Sequence, residues 1–389
     1  MSHPHLLAVA FTLDLAAGLL VGMVGLADAV AATEGIRQPP VQASEIYLPF
    51  AGRTSDARSG WAIGDDPSGT AVILHTADSG AHWAAQGDRS QWQDRRGTDI
   101  SAVDEKTAWV AMTGVTADSP GLILHTTDGG TTWFTQTLPA AVDLALKSIK
   151  GLSPRAAWAT TLDGVILHTT DGGSTWEVVP HPSVTITQVN RIDAIGANIW
   201  VADVLAGDRG IVHSRDNGQT WHAEVLPDAA GNNGPLALNA FSPSVVWAAA
   251  NGQLDFYRTL DGGLTWQKRI GGSVPDNDLD DLCAGSEDLV WGVYNLGGSS
   301  GRIYRVQTHP GSDPIWEVFT PLPGYTYEGI TCLDGSTAWV AGYRGNSIGA
   351  DKPRAIILAT VDGGAHWTSQ PLNETDFQPG KISFAGARR

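Results

Sequence analysis

One short run recurs along this chain and limits the folds open to it. It appears as Ile73-Leu-His-Thr-Ala-Asp-Ser-Gly-Ala-His-Trp83 and as Ile123-Leu-His-Thr-Thr-Asp-Gly-Gly-Thr-Thr-Trp133. It returns as Ile166-Leu-His-Thr-Thr-Asp-Gly-Gly-Ser-Thr-Trp176 and as Ile211-Val-His-Ser-Arg-Asp-Asn-Gly-Gln-Thr-Trp221. Phe256-Tyr-Arg-Thr-Leu-Asp-Gly-Gly-Leu-Thr-Trp266 and Ile357-Leu-Ala-Thr-Val-Asp-Gly-Gly-Ala-His-Trp367 complete the clear copies. The closing tryptophans step by 50, 43, 45 and 45 residues, and then by 101. The long step is two periods. Its missing copy is Ile303-Tyr-Arg-Val, ending in Trp316, with Gly311 where the others have Asp and Asp313 where they have Gly. Seven repeats result, six with an intact Asp-box: Thr or Ser, then x-Asp-x-Gly-x, then Thr or His, then Trp.

A second tryptophan keeps phase upstream: Trp61, Trp109, Trp158, Trp200, Trp247, Trp291 and Trp339. An apolar residue precedes most of them by eight or nine places, as at Ile149, Ile192, Leu238, Leu282 and Ile330. Short apolar runs bounded by Gly, Asp and Pro are strands, so each unit reads as four. Four strands in a period of roughly 40–50 residues is a propeller blade. The expectation is an all-β, seven-bladed β-propeller of four-stranded antiparallel blades, one domain over 45–389. Ile382-Ser-Phe-Ala-Gly and Leu48-Pro-Phe-Ala-Gly both resemble a first strand. One should complete the first blade, and the C-terminal one is favoured because joining the chain ends removes exposed strand edges.

The boxes read as architecture. Gly supplies the positive φ of a tight turn, and an Asp carboxylate can accept from backbone N–H groups within it. Asp78, Asp128, Asp171, Asp216, Asp261 and Asp362 are therefore structural. So are the closing residues Trp83, Trp133, Trp176, Trp221, Trp266, Trp316 and Trp367, each expected to pack on its own blade. Burying about 150–250 Å² of indole at about 25 cal/mol/Å² gives roughly 4–6 kcal/mol as an upper bound. His75, His125, His168 and His213 occupy equivalent places in different blades, so they spread round a ring. Metal ligands must converge on one ion; no metal and no cofactor is expected.

The formal charge of -17, with 24 Lys+Arg, argues against general nucleic-acid binding and against docking on anionic lipid. Residues 1–32 are largely apolar, and small residues near Ala27 and Ala29 suit signal-peptide cleavage. Export follows as the expected localisation (periplasmic, lumenal or secreted, with membrane association open), with 33–44 as a linker. Cys283 and Cys332 precede their tryptophans by eight and seven residues. A one-residue shift points to the opposite face of a strand, so both are expected to be buried free thiols.

The box repeat, joined to the upstream Trp-Val-Ala segment, resembles the photosystem II stability/assembly factor family over roughly residues 45–389. That resemblance implies a seven-bladed propeller, exported to the thylakoid lumen or periplasm, that binds a membrane-protein precursor during assembly. A protein partner and a monomeric state are the corresponding expectations, with no catalytic residue. The competing reading is a carbohydrate-active hydrolase, since sialidases and some endoglucanases use the same box. A sialidase needs an arginine cluster and a Tyr–Glu pair. Other glycosidases need two carboxyls about 5–9.5 Å apart.

Strand order places the box turns on one face. Long loops fall on the other, at 65–71, 86–98, 113–121, 203–210, 226–236, 271–281, 295–302, 321–329 and 343–355. Function tends to sit on such loops. Arg89, Trp92, Arg95 and Arg96 form the one dense basic-aromatic group there, and Tyr325, Tyr327, Tyr343 and Arg344 form a second. Arg and Trp are the usual anchors of protein interfaces. The run Asp276-Asn-Asp-Leu-Asp-Asp281 reads as an acidic solvated loop, with Ca²⁺ binding as the alternative.

Overall fold

A computed structural model describes residues 36–37, 58–116, 120–139, 145–205, 208–227, 236–250, 255–270, 277–296, 300–309, 312–344, 355–374 and 376–386. They form seven antiparallel sheets in a ring. Blade one pairs Gly60–Asp65, Ala71–Thr76 and Ala84–Gln86 behind an inner strand, Gln378–Phe384, from the other end of the chain. The C-terminal segment thus closes the ring; Leu48–Gly52 lies outside the described residues. Blades two to five follow with inner strands Arg95–Ala102, Leu146–Gly151, Arg191–Ile195 and Leu236–Ala240. Blade six starts with Asn277–Ser286 and blade seven with Tyr325–Cys332.

Blade six differs. Without a box turn its outer hairpin lengthens to Ser300–His309 and Ser312–Phe319. Outer strands elsewhere hold two to four residues. A long free edge invites further pairing, and Ile36–Arg37, within the expected linker, pairs parallel with Trp316 and Glu317.

The seven hydrophobic clusters lie between blades rather than within them. Trp133 packs with Trp61, Trp176 with Trp109, Trp221 with Trp158, Trp266 with Trp200, and Trp316 with Trp247. Trp367 meets Trp291, and Trp83 meets Trp339 across the closing seam. The expectation that a box Trp packs on its own blade is therefore corrected. Blades stack face to face, and each box Trp fills the gap to its predecessor. Polar ties run the same way: Gln86 of blade one donates to Gly129 O of blade two at 2.9 Å.

The inner strands are linked in a belt. In six of the seven, the residue opposite the upstream Trp reaches toward the next blade. Ser383 Oγ accepts from Ala102 N at 3.0 Å, and Ser101 Oγ accepts from Gly151 N at 3.1 Å. Lys150 pairs with Asp193 at 2.7 Å, Asp193 accepts from Ala240 N, and Asn239 accepts from Ala284 N, both at 2.8 Å. At the next seam the belt is covalent. Cys283 and Cys332 form a disulfide, Cα–Cα 5.9 Å, which overturns the expectation of free thiols. Their phase was read correctly, since Cys283 lies opposite Trp291 and Cys332 opposite Ala338. The inference drawn from it fails because adjacent blades stack: side chains on opposite faces of neighbouring blades point at each other.

Candidate functional site

The box turns and the inner hairpin turns share one face. Gly129 N donates to Lys106 O, Gly172 N to Arg155 O, and Gly363 N to Ser336 O. All six boxes are built alike. In blade three, Thr169 Oγ1 accepts from Gly173 N at 3.0 Å and donates to Asp171 Oδ1 at 2.9 Å. Asp171 Oδ1 accepts from Thr175 N and Oδ2 from the Thr175 hydroxyl, at 2.9 and 2.6 Å. Those bonds hold the Asp171 carboxyl down at about 2. Every carboxylate acceptor is used within its own turn. The strand histidines pack as core rings, with Nε2 of His75 and His125 and both ring nitrogens of His213 buried without a hydrogen-bond partner among the described residues. His125 stacks on Trp109 at 3.5 Å and His168 on Trp158 at 3.9 Å. Burial lowers His75, His125 and His213 to about 4.

The opposite face carries both residue groups singled out in the sequence. Arg89–Trp92 is a single 3₁₀ turn capped by Asp88, which accepts from Ser90 N at 3.0 Å. Trp92 is not a surface anchor: its ring is fully buried in the seam between blades one and two, and Nε1 donates to Ala71 O at 2.9 Å. An indole beside three arginines looks like an interface in sequence; here its apolar surface finds a core instead. Arg89 is engaged as well, 3.5 Å from Asp66 and 3.3 Å from Glu374. Arg95 leans on Pro120 O and Gln93 O, and Arg96 is exposed beside Gly69. Residues 95–98 belong to the inner strand rather than to a loop. Arg96 also faces Asp65, which burial raises to about 6 although it accepts from Gly97 N.

The second group divides likewise. Tyr327 is fully buried, with its hydroxyl donating to Leu322 O at 3.4 Å, and it cannot serve as a surface contact. Tyr325 and Tyr343 are half-buried, Arg344 is exposed, and Tyr325 pairs with Arg344 across the strands. Burial, and then the charge of Glu328, raise the Tyr343 phenol.

Between these groups the central channel holds charges that sequence reading missed. Arg191 of blade four is buried, 3.7 Å from Asp99 of blade two and 3.5 Å from Asp281 of blade six. Burial opposes its charge, but Asp281 and Asp99, with Asp193 behind them, outweigh that and hold it protonated. Lys381 of the closing strand donates to Asp280 O at 2.8 Å and Glu328 O at 3.0 Å, and sits 3.4 Å from Asp281. Asp280 Oδ2 accepts from Asn295 Nδ2 at 2.6 Å, and burial, then the nearby Glu328 carboxylate, push its carboxyl up to about 9. Asp276 lies outside the described residues, but Asp281 is no solvated loop residue. From Asn277 onward the run is an inner strand, and its Asp281 meets Arg191 of blade four and Lys381 of blade one. One signal was available: Asp99, Lys147, Arg191 and Asp281 are charges set nine to eleven places before the strand-two Trp, each at or beside the corresponding place in its inner strand.

The family model described as photosynthesis system II assembly factor YCF48 matches residues 32–193 and 93–351. The chain belongs to that family. A curated relative, the photosystem II assembly lipoprotein Ycf48 of Synechococcus sp. (strain CC9902), is 24% identical over 333 residues, covering 85% of this chain and 76% of the relative. A solved YCF48 bound to a D1 peptide superposes with a TM-score of 0.56 at 19% identity, covering 79% of this chain and 90% of that one. A Paenibacillus xyloglucanase is 24% identical over 329 residues, but this chain spans only 28% of it. The seven-bladed propeller that the family resemblance implied is the fold observed. Among the described residues no helix is long and apolar enough to cross a membrane.

Proposed function

We propose that this chain is a non-enzymatic, exported assembly factor that binds a protein partner through its long-loop face. The observation that carries the reading is the anchored arginine ledge. Trp92 fixes the 88–94 loop to the core, and Asp94 holds a left-handed φ of 60° just before Arg95. Arg95 and Arg96 are therefore presented on rigid backbone, which lowers the ordering cost of an interface. Tyr343 and Arg344 lie on the same face, beyond the channel mouth. Family membership, and a relative solved with a bound peptide, favour a peptide segment of the partner as ligand.

A glycosidase reading gains little from the site. Among the described residues the acids that come together are already engaged: Asp99 and Asp281 share the Arg191 guanidinium, and Asp280 is held by Asn295 beside Glu328, whereas a glycosidase keeps two carboxyls about 5–9.5 Å apart for the sugar. The box carboxylates are consumed by their turns. The test is capture from the source organism with wild type and with Arg95→Glu/Arg96→Glu. Partners recovered by wild type should be lost by the variant, while Arg89→Ala, whose guanidinium is tied to Asp66 and Glu374, should lose fewer. Equal recovery by all three refutes the ledge. Release of reducing sugar from xyloglucan by wild type, abolished by Asp280→Asn, would restore the hydrolase reading.

A further inference from the structure

The belt gives the disulfide a meaning beyond a cross-link. At the one–two and two–three seams a serine on one inner strand accepts from the backbone N–H of the next. Aspartate and asparagine do the same at the four–five and five–six seams. Cys283 stands in the giving place, opposite Trp291, and Cys332 in the receiving place, equivalent to Ala102, Gly151, Ala240 and Ala284. The covalent bond has replaced a hydrogen bond. On the far side of blade seven the giving residue is Thr331, whose hydroxyl is buried and has no partner. That seam relies on Phe384 stacked on Trp339 at 4.0 Å and on Lys381 reaching Glu328 O. Blade seven thus lacks the belt contact on its far side; on its near side the disulfide occupies that place, beside Asn295, which exchanges two 3.0 Å hydrogen bonds with the Tyr327 backbone, and Asp281, which accepts from Ile330 N at 3.4 Å.

We propose that the Cys283–Cys332 disulfide is a redox lock on ring closure: oxidation fastens blade seven, and reduction loosens its seam with blade six, leaving the Asn295 and Asp281 hydrogen bonds to hold it, without dismantling the other seams. The step is a two-electron reduction. An external dithiol gives two electrons and two protons, the S–S bond breaks, two thiols form, and the reductant becomes a disulfide. Both cysteines are fully buried, so a thiolate reaches them only after the seam opens. The device is accordingly a lock set when the chain folds in an oxidising compartment, rather than a rapid switch.

The experiment compares the full chain before and after reduction with a trialkylphosphine under mild denaturant, with thiols counted by alkylation and mass. The oxidised protein should yield no free thiol. Reduction should lower Tm by roughly 5 °C or more, given a 49-residue separation, and should open new protease sites between Tyr325 and Ser369 first. Cys283→Ser/Cys332→Gly recreates the serine-to-backbone pair of the two–three seam. It should be insensitive to reductant and melt above Cys283→Ala/Cys332→Ala, which cannot. Free thiols in the native protein, a Tm unmoved by verified reduction, proteolysis that begins in other blades, or equal melting of the two variants would each overturn the lock. Circular dichroism of both variants confirms that the ring has formed.

Discussion

The two faces of the ring are held by different kinds of contact. On the box face, each turn satisfies itself within about eight residues, six times over, with the same Thr, Asp and Gly. On the opposite face, and in the channel below it, partners come from far apart. Arg191 meets acids of blades two and six, and Lys381 ties the last strand to blades six and seven. The box face is a repeated local solution. The other face is a single, non-repeating one, and both ring closure and the arginine ledge belong to it. A change on the box face should therefore cost one turn, while a change at the channel should be felt across blades.

The closing strand tests that contrast most severely. Removing residues 378–389 strips the inner strand from blade one and takes Phe384 from between Trp83 and Trp339. Losing Phe384 alone is worth about 3–5 kcal/mol; losing the strand as well should abolish the cooperative melt by circular dichroism. An unchanged melting temperature would break the comparison. Next comes Arg191→Met, which leaves Asp99 and Asp281 facing each other in a buried channel, at a cost of about 3–5 kcal/mol. Chemical denaturation of the single variant and of Arg191→Met/Asp281→Asn should show the second change partly restoring stability. Thr169→Val removes only the hydroxyl that receives Gly173 N. It should cost about 1–3 kcal/mol, and Thr259→Val in blade five should match it.

Acid sharpens the same contrast by acting on the repeat. His75, His125 and His213 sit at about 4 when folded against 6.5 as free side chains, and burial depresses His168 too. The folded chain then binds fewer protons than the unfolded one between these values. Their contribution is complete above pH 6.5 and is lost as pH falls toward 4. Asp65, raised to about 6, and Asp280, raised to about 9, act in the opposite sense over this range but are two groups against four. Tm should fall between pH 7 and pH 4.5. His125→Phe, which keeps a ring on Trp109, should flatten that fall.

Much of this was legible in the chain because propeller blades repeat. The box and the upstream Trp fixed strand count, turn type and which face bears the long loops. What escaped depends on neighbours that are distant in sequence. Trp92 and Tyr327 were assigned to the surface by their company in the chain, yet each is covered by an adjacent blade. Cys283 and Cys332 were assigned correctly in phase, but phase alone does not say that adjacent blades present opposite faces to each other. Asp281 looked solvated until Arg191, ninety residues earlier, met it across the channel. The arginine ledge was half legible: the residues are on the expected face, but only Arg95 and Arg96 are free of carboxylate ion pairs shorter than 4 Å among the described residues.

The smallest effect probes the repeat where it departs from itself. Most boxes place Gly at both positive-φ positions of the turn, as at Gly172 and Gly173, φ 81° and 84°. In blades one and four the first of these is Ser79 or Asn217, at φ 61° and 60°. A left-handed residue with a Cβ costs about 1–2 kcal/mol, and glycine returns part of that through its larger unfolded-state entropy. Ser79→Gly should therefore stabilise the protein by about 0.5 kcal/mol, readable as a small rise in Tm. Asn217→Gly should gain less, because asparagine tolerates this conformation better than serine. If the box turns are independent local units, the two gains add in the double variant; a shortfall would mean that the box face is coupled round the ring, like the channel it was contrasted with.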